Sequence, residues 1–243
     1  METVGERFQR ETKYQRGKRP PATRVLSYPD EFKRYPHAPV IHMPFPQEEA
    51  GPGIWSVMAR RRSIRDFLPH KISLKTLARL AWSVGGVRER RGGFLFRIVP
   101  SAGALYPVET YIMANSVEGL EKGIYHLYVP TFSLEFIERG DRSEALAQAA
   151  LGQEMIRQAA VVFLWTAVID RCRIKYGERA FRYIYLDAGH MGQNLYLAAT
   201  AMGLGCCTVG AMFDDEVNRI LGVDKEEETI IYLGVVGVPA SKD

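Results

Sequence analysis

The run from Ala160 to Ile169 constrains this chain more than any other stretch. Val161, Val162, Phe163, Leu164, Trp165, Ala167 and Val168 fill odd and even positions alike. A strand with this content is apolar on both faces and has to be covered on both. The apolar stretch beginning at Ala159 falls short of the roughly 20 residues that a membrane-spanning helix needs. A chain of 243 residues, 47% hydrophobic and 25% charged, is long enough to bury such a strand in one large domain.

Other elements follow from local pattern. Ile54–Ala59 reads as a short helix. Ser73 is an N-cap ahead of Leu74, Leu77, Leu80, Ala81 and Val84, an i, i+3, i+4 pattern that Gly85-Gly86 stops. Residues 87–93 read as a polar turn, and Phe94–Val99 and Val108–Ala114 as strands around the loop Pro100–Pro107. Ile124–Val129 and Ser133–Ile137 form a hairpin about Pro130-Thr131. Ser143–Leu151 is helical. The longest helix runs from Glu178 to Met202, with Tyr185, Ala188, Gly189, Gly192, Leu195, Ala199 and Met202 on its packing side. Asp214–Leu221 is a short helix and Ile230–Val238 a closing strand. Mixed strands and helices put the fold in the α+β or α/β class. Residues 1–50 carry seven of the prolines and no long helical pattern, which reads as an extended arm ahead of a domain spanning 51–243.

The net charge of +4 lies wholly in the arm: residues 1–34 hold nine Lys/Arg against five Asp/Glu. The body therefore has no nucleic-acid footprint. Cys172, Cys206 and Cys207 are an odd count without metal spacing, which suits reduced thiols in the cytoplasm. Met1 opens onto charged residues rather than an apolar signal segment. The five histidines show neither HxH nor HExxH spacing, so no metal site is expected.

Three clusters could carry chemistry. Arg60-Arg61-Arg62-Ser63-Ile64-Arg65 gathers four guanidinium forks and a hydroxyl, a donor set suited to phosphate oxygens, although a solvated basic turn would hold the same residues. Pro100-Ser101-Ala102-Gly103-Ala104-Leu105-Tyr106-Pro107 is a loop of small residues between prolines, open to close approach by a flat ligand or simply structural. Lys175-Tyr176 could move a proton if its surroundings shift a pKa, or could lie on the surface at a helix entry. Gly203–Ala211 exposes backbone after the long helix, with Cys206 and Cys207 as small packing residues, since no base adjoins them in sequence.

Taken together, RRRSIRDF, PSAGALYP, LDAGHMGQNLYLAATAMGLG and YLGVVGVP resemble the nitroreductase superfamily, and FQRETKY and EFKRYP resemble the leader region of its SagB-type, azoline dehydrogenase-like branch. The resemblance implies a nitroreductase-like α+β fold, a mostly antiparallel sheet flanked by helices, in an intertwined homodimer with FMN at the interface. Arg61, Arg62, Ser63 and Arg65 would grip the phosphate and ribityl chain. Pro100, Ser101, Ala102 and Gly103 would line the isoalloxazine, from the opposite protomer. Val209, Gly210 and Ala211 would offer backbone to the flavin edge. Lys242 stands alone where many relatives have a basic pair, and Ala104 stands where many have Asn. Lys175-Tyr176 occupies the place of the pair that serves heterocycle oxidation.

The implied function is ping-pong hydride transfer on a small-molecule or peptide heterocycle. A second reading is an NAD(P)H-dependent nitro- or quinone reductase. Without a GxGxxG fingerprint, NADH or NADPH would bind transiently in the flavin pocket. A reading of another class is a flavin-binding or nucleic-acid-associated protein without turnover, using the basic arm. Neither a nucleic-acid nor a membrane partner is expected.

Overall fold

A computed structural model of the chain describes residues 2–17, 28–46 and 51–241. Its centre is an eight-stranded sheet in the order β1-β7-β6-β5-β8-β10-β2, with β9 also paired to β10. These strands are β1 (Val40–His42), β2 (Phe67–Leu68), β5 (Val108–Ala114), β6 (Gly123–Tyr128), β7 (Ser133–Arg139), β8 (Val161–Val168), β9 (Gly205–Val209) and β10 (Glu228–Pro239). Every ladder among them is antiparallel. A separate hairpin joins β3 (Val87–Arg91) to β4 (Phe94–Arg97).

The apolar strand is β8, in the middle of the sheet between β5 and β10. Its two faces feed two cores. Phe163 and Trp165 meet α3 (Leu74–Gly85) and α7 (Ala180–Ala201), while Val162 and Leu164 meet α4 (Ser143–Ala149), α5 (Met155–Gln158) and α8 (Asp214–Leu221). Burying a side chain of this size contributes roughly 1.5–3 kcal/mol. Gly234 of β10 lets α7 approach, because a Cβ there would lie 2.6 Å from Leu195 Cδ2.

Short-range patterns survive in the structure. Ser73 caps α3 by accepting from the Thr76 amide, and β5 and α8 span the expected residues. Other expectations give way to pairing. Residues 87–91 form a strand despite their polarity, because Arg90 and Arg91 register against Leu95 and Phe94; only Gly92-Gly93 turns, both with positive φ. Residues 205–209 are a strand against β10 rather than an open loop. Helix α7 buries Ala188, Gly192, Leu195 and Ala199 as expected, but Tyr185 and Gly189 point outward, and Asp187, Met191 and Tyr196 are buried as well.

The N-terminal segment is not extended throughout. Residues Val4–Glu11 form helix α1, started by a Thr3–Glu6 capping box and supported by the Arg7–Glu11 pair. Further on, β1 joins the sheet at β7, and Lys33 and Tyr35 enter a buried polar network. The remaining helices, α2 (Ile54–Arg60) and α6 (Ile169–Tyr176), carry the basic cluster and the Lys-Tyr pair. No helix is long and apolar enough to cross a membrane among the described residues.

Candidate functional site

The basic cluster leaves the end of α2, where Arg61 is the C-cap. Ser63 then bridges to Cys206, and the Ile64 amide donates to the Cys206 carbonyl at 2.9 Å, which seats the segment on β9. Tyr196 of α7 is the hub below it. Its hydroxyl lies 2.8 Å from Ser63 Oγ and accepts from the Thr208 amide at 3.0 Å, while Tyr232 donates to Thr208 Oγ1 at 2.6 Å. The Arg61 guanidinium stacks over the Tyr196 ring at 5.1 Å. Arg60, Arg61 and Arg62 line a groove of about 580 Å³ with Thr200, Gly203 and Pro239. Among the described residues, Arg61, Arg62 and Arg65 pair with no carboxylate, so their forks are open to an anion.

The second group is built on the other end of α7. Asp187 accepts from Ser101 Oγ at 2.5 Å and from the Ala102 amide at 3.3 Å, and Ser101 Oγ accepts from the Tyr106 amide at 2.9 Å. Burial pushes the Asp187 carboxyl up from its ordinary value, against the hydrogen bonds from Ser101 and Ala102. The loop it ties down is strained: Gly103, Ala104 and Tyr106 all have positive φ. Pro100 and Gly103 are exposed at its rim.

The same loop meets the Lys-Tyr pair, which sits at the end of α6 rather than at a helix entry. A Cβ on Gly103 would lie 2.7 Å from both Lys175 Nζ and Tyr176 Oη. Behind Tyr176 stands Tyr183, with ring centroids 4.7 Å apart. The N-terminal segment closes this side. Arg179 and Arg182 donate to the Thr12 carbonyl and hydroxyl, at 2.7 and 2.8 Å, and Tyr14 stacks on Arg179 at 4.4 Å.

Val209 is a buried core residue paired with Leu233, whereas Gly210 and Ala211 emerge exposed beyond β9, with open space where a Gly210 Cβ would be. Lys242 lies outside the described residues. The cysteines are buried, and burial pushes Cys172 up to about 12 and Cys206 higher still. Arg61 is close enough in space to act on Cys206, but desolvation outweighs it. No group of three metal-ligating side chains occurs among the described residues.

A second buried polar cluster lies under the N-terminal segment. His126 bridges Glu135 at 2.9 Å and Glu109 at 3.2 Å, and Arg171 donates to Glu109 at 2.5 Å. Lys33 and Tyr111 both donate to Glu228. Burial opposes charge on His126, yet the two glutamates raise its pKa; burial likewise opposes charge on Glu109, yet His126 and Arg171 lower it. Sequence reasoning missed Asp187, Tyr196, Tyr14 and this cluster. Asp187 was marked only as the one carboxylate in α7.

A mostly antiparallel sheet between two helical layers, with a guanidinium cluster and a small-residue loop both tied to one long helix, defines an α+β fold. The model of the nitroreductase family matches residues 58–238, and the chain belongs to that family. It is 38% identical over 178 residues to the nitroreductase-family protein MJ1384 of Methanocaldococcus jannaschii, covering 73% of this chain and 88% of that one. It is 31% identical over 150 residues to the trifolitoxin-processing protein TfxB of Rhizobium leguminosarum, covering 60% of this chain and 40% of the relative.

Among solved structures, a nitroreductase-type protein from Anabaena variabilis superposes with a TM-score of 0.78 at 28% identity, over 96% of this chain and 47% of the other. The chain thus spans about half of that protein. The Escherichia coli microcin synthetase McbBCD complex with a bound pro-microcin B17 peptide matches at a TM-score of 0.62 and 20% identity, over 97% of this chain and 81% of that one. A nitroreductase from Desulfovibrio desulfuricans in complex with FMN matches at 0.55 and 18%, over 79% and 90%. The last two likenesses speak to fold alone.

Proposed function

We propose that this chain is an FMN-dependent oxidoreductase of the azoline dehydrogenase type, acting as a homodimer. The observation that carries this reading is the meeting of Gly103 with Lys175 Nζ and Tyr176 Oη, which brings the small-residue loop to a proton-handling pair. The donor set fits the cofactor. Arg61, Arg62 and Arg65 pair with no carboxylate among the described residues and flank Ser63 in sequence, a combination suited to a phosphate monoester. Pro100, Ser101, Ala102 and Gly103 present backbone to a flat ring, and Val209, Gly210 and Ala211 offer backbone at its edge.

FMN, when bound, supplies a two-electron hydride acceptor at N5, recharged in a separate half-reaction. The chain's own residues orient the substrate and remove its proton. Tyr176 as a phenolate, or Lys175 as a free amine, would accept the proton that leaves the substrate and become the neutral phenol or the ammonium, with Tyr183 packed behind the Tyr176 ring. Thr12 and Tyr14 hold Arg179, which donates to the hydroxyl of Tyr183 behind Tyr176. Asp187 and Tyr196 are nine residues apart, roughly 13.5 Å along the axis and about half a turn around it, so they serve opposite edges of α7.

A second reading, an NAD(P)H-dependent nitro- or quinone reductase, draws on the likeness to the M. jannaschii protein. The test is the visible spectrum of the purified protein supplied with FMN, followed by anaerobic mixing with NADH or NADPH. Flavin bands in a dimer that neither nucleotide bleaches, with heterocycle oxidation abolished by Lys175→Ala, support the first reading. Rapid bleaching by either nucleotide, with Lys175→Ala neutral, supports the second. A colourless monomer overturns both.

A further inference from the structure

We propose that Asp187 is the positioning residue of this site, holding the Ser101–Tyr106 loop in the strained path that sets Gly103 against Lys175 and Tyr176. Asp187 is 5% exposed, and its carboxylate takes both donors the loop turns towards α7, Ser101 Oγ and the Ala102 amide. Ser101 relays the hold, since the oxygen that donates to Asp187 also accepts from the Tyr106 amide. Two non-glycine residues with positive φ, Ala104 and Tyr106, lie within the span so tied. Backbone of that kind persists only where its surroundings over-determine it. The opposite end of the span is fixed as well, with the Tyr106 hydroxyl accepting from the Arg97 amide at 3.0 Å and its ring stacked under the Arg97 guanidinium at 4.7 Å.

A buried acid is an expensive way to satisfy two donors, because an amide oxygen would accept from them without desolvating a charge. No cation forms an ion pair with Asp187 among the described residues; the only nearby basic group acting on it is His190, on the exposed side of α7. What the charge adds is strength. Charge-assisted hydrogen bonds are about twice as strong as neutral ones, and here they bear on Ser101 and Ala102, the two residues that precede the turn. The effect on a flavin ring rests on the FMN reading above. The hold on the loop does not.

The experiment combines hydrogen exchange of the flavin-free protein with fluorescence titration of FMN, in the wild type, Asp187→Asn and Ser101→Ala. Loss of one charge-assisted bond is expected to speed exchange of the Ala102 and Tyr106 amides about tenfold in Asp187→Asn, while α7 amides near Met191 stay protected. The same variant should bind FMN roughly fivefold more weakly and change the visible circular dichroism of the bound flavin. Ser101→Ala, which keeps the α7 carboxylate, should speed the same amides and serves if Asp187→Asn melts. Unchanged loop exchange in both variants overturns the proposal. Faster exchange with unaltered FMN affinity and dichroism overturns the positioning of the ring. A wild-type protein that takes up no FMN overturns the cofactor reading alone, and the exchange data still decide whether Asp187 holds the loop.

Discussion

Gly103 lies so close to Lys175 that a methyl group on its Cα would come within 2.7 Å of Nζ, and as close to the Tyr176 hydroxyl. Two segments far apart in the chain thus share one small volume. Gly103 has a φ of +65, a region L side chains enter at a penalty of about 1–2 kcal/mol. Gly103→Ala should therefore lower stability by about that amount and displace the flexible ammonium. Heterocycle oxidation should fall further than stability. Calorimetry beside turnover separates the two, and equal activity would remove the Lys175-Tyr176 contact from the mechanism.

Arg61 lays its guanidinium over the Tyr196 ring and pairs with no carboxylate among the described residues. Its replacement by alanine should weaken FMN binding by about 1.5–3 kcal/mol, the worth of a hydrogen bond to a charged group. Fluorescence titration of the flavin-free protein reads this directly. An unchanged Kd would assign the phosphate to another part of the groove.

His126 holds Glu109 and Glu135 from opposite ring nitrogens, with Arg171 on Glu109 and Lys33 on neighbouring Glu228. Because its pKa is raised on folding, its stabilisation is full below the unfolded value of about 6.5 and fades as pH climbs through the folded value. Glu109 works in the opposite sense: its lowered pKa stabilises above about 4.5 and is lost in acid. His126→Gln should cost about 3–5 kcal/mol near pH 6 by removing the imidazolium between two buried carboxylates, with Arg171 left on Glu109. The gap in Tm between variant and wild type should narrow as pH rises through the folded value. A gap independent of pH would mean that the imidazole does not change charge over the range tested.

Cys206 is 2% exposed and its thiol is pushed far above the physiological range by burial. Cys206→Ser should leave turnover near the wild-type value while lowering stability by about 1–3 kcal/mol, since the hydroxyl enters an apolar setting. Loss of turnover with Tm intact would restore a chemical role to the thiol.

Local periodicity carried much of the fold. Ser73 with its heptad-like leucines, the strand Val108–Ala114 and the helix Asp214–Leu221 all stand where the pattern put them, because capping and amphipathic burial act within a few residues. The two-faced run around Trp165 had to be central, and it is. Pairing between distant segments was not written locally. Polar Val87–Arg91 became a strand only because Phe94–Arg97 folds back on it, and Gly205–Val209 because β10 offers an edge.

The site divides in the same way. Residue types alone marked the guanidinium cluster, the small-residue loop and the Lys-Tyr pair, since each is a compact run of unusual composition. Their arrangement came from tertiary structure. It took the packing of α7 against the sheet to bury Asp187 beneath one group and Tyr196 beneath another, and the end of α6 to carry Lys175 to Gly103. A side chain's chemistry is intrinsic to it, but which groups it faces depends on packing summed over the whole sheet, and no short window of sequence contains that sum.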